Sequence, residues 1–179
     1  MKFLIIGDLH GQKPNIYYKD FDAIIAPGDF CLDKDIRKVY HITYKEFLKD
    51  PYNYRDWWEI YGKVKAKKIT KKSLFYGRRI LEFLNSFDVP VYLVPGNWDF
   101  AHVSHWKFLN QDFLNGFLLK DLKNLVNTDG KVKSLKNYSM IGYGKCNGPE
   151  LYKYRDYKNI LKKKDLERNK RNYKKLLKR

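Results

Sequence analysis

The sequence predicts an α/β fold built on a mostly parallel sheet, and two features carry that expectation. Three short apolar runs each stop abruptly at a glycine followed by a polar residue. Phe3-Leu4-Ile5-Ile6 leads into Gly7-Asp8, Ala23-Ile24-Ile25-Ala26 leads through Pro27 into Gly28-Asp29, and the run from Val89 to Val94 leads through Pro95 into Gly96-Asn97. Runs of this length, bounded by breakers, read as strands buried on both faces. Between the second and third, Leu74, Ile80, Leu81, Phe83, Leu84 and Phe87 suit the apolar stripe of a helix, and strand, helix, strand is the pattern of parallel neighbours.

Taken in order, the first run has one preceding lysine and no small-residue cleavage site, so it reads as a strand and not a secretory leader. Residues 33–78 break the pattern: they hold ten aromatics, Trp57 and Trp58 among them, interspersed with lysines. They read as a basic, aromatic-rich helical insertion beside the strand ends. A fourth strand is expected at Ser139 to Tyr143. Before it, Asn127-Thr128-Asp129-Gly130 has the chemistry of a hairpin turn, which would add an antiparallel pair. Residues 151–179 read as a basic helical tail with a thin apolar set, Leu161, Leu166, Tyr173 and Leu177. With no internal repeat and no linker, residues 1–179 are expected to form one domain.

Composition narrows the partners. Hydrophobic residues make up 44% of the chain, which excludes a disordered chain. No run approaches the roughly 20 apolar residues that span a bilayer, so no membrane partner is expected. Two cysteines, Cys31 and Cys146, are too few for a disulfide framework or a zinc ribbon, and a reducing cytoplasm is the expected location. The net charge of +17 divides as −1 over residues 1–32, +7 over 33–78, +1 over 79–150 and +10 over 151–179. The strand-bearing segments are thus nearly neutral. The basic excess suits a polyanion, nucleic acid first, or else a lysine-rich, thermophile-like surface.

The chemistry lies immediately after the strands. Asp8 and His10 follow the first, Asp29 the second and Asn97 the third. Ligands of open parallel sheets bind beyond the carboxyl ends of the strands, so these residues should meet in one crevice. Two carboxylates, an imidazole and an amide oxygen suit manganese, iron or zinc better than copper. A shared aspartate could bridge two ions about 3.5–4 Å apart.

Gly7-Asp8-Leu9-His10-Gly11, Gly28-Asp29 and Gly96-Asn97-Trp98-Asp99 resemble the first three motifs of the calcineurin-like metallophosphoesterases, in order and in placement. The resemblance covers roughly residues 1–32 and 79–145. It implies a β-sandwich flanked by helices, and hydrolysis of phosphomonoesters or phosphodiesters by metal-activated hydroxide. Asp8 and His10 would bind a first metal, Asp29 would bridge two, and Asn97 would bind the second and touch the substrate phosphate. The ions would be divalent, manganese first, with iron, zinc or nickel as alternatives.

Two departures matter. Trp98 stands where the family carries a histidine that assists the leaving group, and tryptophan exchanges no proton. The family's later metal-binding histidines have no counterpart, since no histidine follows His105. The chain is therefore expected to lack the C-terminal part of the sandwich, and an unfinished sheet edge would favour a homo-oligomer. A non-catalytic metal-binding or nucleic-acid-interacting module, or a truncated phosphoesterase, is the alternative function. His102 and His105 read as substitute ligands or acids, or as surface groups. Cys31 reads as buried filler or a neighbour of the metals. Trp57 and Trp58 read as the insertion's own core or as a base-stacking platform.

Overall fold

Strands that are apolar on both sides need cover and neighbours, and the chain supplies both through long crossovers. The structure is a computed structural model that describes residues 1–50, 53–99, 114–144 and 162–178. β1 (Phe3–Ile5), β2 (Ala23–Ala26), β3 (Val91–Leu93) and β4 (Leu125–Asn127) form one four-stranded sheet in the order β1-β2-β3-β4. All three pairings are parallel, with Leu4 opposite Ile24, Ile24 opposite Val91 and Val91 opposite Leu125. The protein is therefore mixed α/β around a parallel sheet.

The crossover from β2 to β3 consists of α1 (Lys34–Lys49) and α2 (Trp57–Asn85). In α1 the buried residues Ile36, Val39 and Thr43 recur every three or four positions, so one stripe faces inward. In α2 the stripe runs through Ala66, Ile69, Thr70, Ser73, Leu74, Gly77, Ile80, Leu81 and Leu84. A break at Gly62, with φ 73° and ψ 157°, kinks the helix near its start. Ile24, Ala26, Val91 and Leu93 from the sheet share one core cluster with these helical residues. Within residues 33–78 the chain forms α1 and the first part of α2, and the buried apolar residues of both belong to this common core. The boundary drawn at residue 78 falls inside α2. The apolar stripe also extends further back than its large residues suggested, because Thr70, Ser73 and Gly77 complete it.

The other face of the sheet is less covered. Ile5, Ile25, Tyr92 and Val126 line up in register across the four strands. None of them is fully buried, and Ile5 is 69% exposed.

The C-terminal strands depart from expectation. The fourth strand of the main sheet is β4, whereas β6 (Tyr138–Ile141) pairs antiparallel with β5 (Val132–Leu135) in a separate two-stranded sheet. The hairpin turn is Lys136-Asn137, with Lys136 at φ 49°. Asn127 to Gly130 does turn the chain, but it turns it out of the main sheet. Thr128 donates to the Leu93 carbonyl through both N and Oγ1, and the Asn127 side chain accepts from Asp129 N at 3.0 Å. These bonds end β4 against β3, and the residues that follow pair instead with Gly142 at the end of β6.

α3 (Lys162–Leu177) is a basic helix within the expected tail, and its Tyr173 ring packs on Tyr143 at 6.3 Å between centroids. Leu161, His102, His105 and Cys146 lie outside the described residues. No helix among the described residues is long and apolar enough to cross a membrane.

Candidate metal centre

Backbone pairing continues past the ends of β1 and β2 and fixes the loops that carry the polar residues. Asp8 N donates to the Gly28 carbonyl at 3.0 Å, His10 N to Asp29 at 2.8 Å, and Gly11 N to Phe30 at 2.8 Å. Asp8, His10 and Asp29 all take left-handed backbone conformations, with φ of 52°, 44° and 57°. Asp and His tolerate that region better than most residues, but it is uncommon, and three such residues facing one another point to a functional constraint. Gly28 has φ 90°, and a Cβ there would come within 2.3 Å of Gly96 N. A Cβ on Gly96 would come within 2.1 Å of Asp29 Oδ1. Only glycine lets the loops after β2 and β3 approach this closely.

The result is a cluster in which Asp8, His10 and Asp29 each offer one ligand atom, all within 4.8 Å of one another. The sequence placed these three together and the structure does the same. Ligands about 2.1 Å from one ion stand at most about 4.2 Å apart, so small side-chain rotations would close them on a cation. Asn97 borders the cluster. With its amide nitrogen turned inward it donates to Asp29 Oδ2 at 3.3 Å, while its oxygen accepts from Trp98 Nε1 at 3.3 Å. With the oxygen inward, two acceptors face each other, an arrangement that becomes favourable across a cation. The donor set therefore fits a divalent metal at Asp8, His10 and Asp29, with Asn97 available from one side.

Burial pushes the Asp29 carboxyl up to about 6, opposed by the Trp98 N–H that Oδ1 accepts at 3.0 Å. The neighbouring Asp99 and Asp8 charges raise it further, and His10 lowers it. A bound cation would reverse this balance.

No protein-family profile, curated protein or solved structure matches the chain.

Three residues that the sequence did not assign complete the surroundings. Asp99, fully buried, accepts four backbone N–H groups: Phe30 and Cys31 on Oδ1 at 2.8 and 3.0 Å, Asp29 and Gly96 on Oδ2 at 2.8 and 2.9 Å. It ties the loops after β2 and β3 into one unit. Asp33, at the start of α1, pairs with Arg37 Nε and has Oδ2 3.2 Å from His10 Nδ1. That last contact is close enough for an ion pair, but its angle falls short of a hydrogen bond. Arg37 Nη2 stands 3.4 Å from His10 Nε2, close enough to donate to it, and brings a permanent positive charge to the rim.

Cys31 is buried against Gly77 of α2, its thiol pushed up by burial, so it acts as filler. Trp57 is also buried, edge-on to Trp58. It is part of the core and presents no ring face for stacking a base.

Proposed function

We propose that the protein is a metal-dependent phosphoric ester hydrolase of the calcineurin-like metallophosphoesterase kind. The observation that carries this reading is the convergence of Asp8, His10 and Asp29, from two loops and in left-handed conformations, on one point at the carboxyl ends of parallel strands. Asp8, His10 and Asp29 would hold a divalent ion, manganese first, and Asn97 would face a second position beside Asp29. When bound, such an ion lowers the pKa of water from 15.7 toward about 7 and neutralises charge on phosphoryl oxygens. Arg37, held by Asp33, offers a planar donor fork to the same oxygens. Trp98 gives no proton to a leaving group. Lacking one positioned acid costs on the order of 100- to 10,000-fold, so esters whose leaving group needs no protonation should be the best substrates.

The test is manganese-dependent hydrolysis of an aryl phosphodiester by the full chain, beside Asp29→Asn and Asp8→Asn. Turnover that needs metal and disappears in both variants supports the reading. Unchanged turnover in Asp29→Asn would falsify it. A second reading, a metal-binding module without turnover, is favoured by Trp98. It predicts metal binding that both variants weaken, and no hydrolysis.

A further inference from the structure

Trp98 and a cation at the Asn97 side make opposite demands on one atom, the Asn97 amide oxygen. With the amide nitrogen turned toward Asp29, the orientation that pairs donor with acceptor on both sides, that oxygen accepts from the indole Nε1 while the amide nitrogen donates to Asp29 Oδ2, both at 3.3 Å. An amide nitrogen has no lone pair to give a metal. Holding a cation beside Asp29 therefore requires the oxygen to turn inward. The same rotation sets the amide NH2 against the indole N–H, donor to donor, and the hydrogen bond is lost.

We propose that Trp98 is a positioning residue that holds the Asn97 amide in its cation-refusing orientation and weakens the Asn97 side of the metal centre. The inference rests on the metal-dependent reading above and deepens it: Trp98 removes a proton donor and also disfavours occupancy next to Asp29. Two further contacts keep the indole in place. The Trp98 backbone N–H donates to Asp29 Oδ1 at 3.0 Å, and the side chain packs partly buried against the core. A rotation that relieved the donor clash would disturb that packing.

The experiment is zinc titration calorimetry on the metal-free full chain, comparing wild type, Trp98→Phe, Asn97→Ala and the double variant, with Asp29→Asn as the control that removes a ligand. Phenylalanine keeps the ring and removes the N–H. Wild type should bind zinc more weakly than Trp98→Phe by about three- to ten-fold, the worth of one neutral hydrogen bond. In the Asn97→Ala background, Trp98→Phe should add nothing. On the unaltered protein, zinc should shift one indole N–H resonance in a nitrogen-correlated NMR spectrum, and Asn97→Ala should move the same peak without zinc. That measurement decides the matter if Trp98→Phe does not fold. Equal zinc affinity in wild type and Trp98→Phe, with Asp29→Asn still losing zinc, overturns the role of Trp98 and leaves the metal centre standing. A gain that persists without the Asn97 amide overturns it too. No zinc binding in any variant overturns both readings together.

Discussion

Burying the Asp29 carboxylate between Asp8 and Asp99 leaves the metal-free protein holding a charge that water would stabilise better. Its folded pKa of about 6 lies above the unfolded value near 3.9. The folded state therefore binds the proton more tightly, and the stability this gives is present below about pH 4 and lost as pH rises through 6. Asp29→Asn removes that dependence. In chelator at pH 7.5 the variant should melt about 2–4 °C above wild type, and at pH 4 it should gain nothing. Scanning calorimetry at the two pH values checks this, and a lower melting temperature at pH 7.5 would refute it. Removing Asp99 has the opposite consequence, because its four N–H donors have no other acceptor among the described residues. Asp99→Ala should cost on the order of 4 kcal/mol, read from urea unfolding, since each orphaned buried donor costs about 1–3 kcal/mol. Asp8, His10, Asp29 and Asn97 were legible because residue type after a strand end is a local signal. Asp99 was not: its partners lie about 70 positions away and are backbone groups, which leave no mark on residue type.

At the scale of elements, α2 approaches the loop after β2 so closely that a side chain has no room. A Cβ on Gly77 would come within 2.5 Å of Cys31 Sγ, and Leu32 N donates to the Ser73 carbonyl at 3.4 Å. Gly77→Ala gains helix propensity of about 1 kcal/mol but overpacks a tight contact, typically by about 1–3 kcal/mol. The net effect expected is destabilisation, relieved when Cys31→Ala is added; a double-mutant cycle in urea would show the coupling, and additive effects would sink the argument. The small residues responsible also explain how much of α2 the sequence showed. Ile80, Leu81 and Leu84 announce a helix, whereas Thr70, Ser73 and Gly77 read as surface or breaker until something is known to press on them. The three apolar strands were readable for the converse reason, since each is nearly all apolar. β4 was not readable: Leu125-Val126-Asn127 is only three residues long and ends in a good turn former.

Across the whole molecule, the candidate metal ligands follow strands that are neighbours in space and apart in sequence. Ala26 sits opposite Leu93, and everything between them is α1, α2 and their connections. Parallel order of this kind was predictable from the strand–helix–strand pattern, because parallel neighbours need a covered crossover. The position of the hairpin was not, since it depends on which strand Thr128 and Asn127 bond to. The long crossover also bears on the order of events in time. β2 and β3 cannot pair until the intervening chain has folded back, and loop closure is spent before those contacts return anything. α2 should therefore be largely formed at the folding barrier, with the β5–β6 hairpin added afterwards. In stopped-flow experiments Leu81→Ala should slow refolding, whereas Leu135→Ala should chiefly speed unfolding. The reverse pattern would place the hairpin first. The candidate metal centre would then be among the later features to assemble, complete only once the helix between its two halves has brought Asn97 to Asp29.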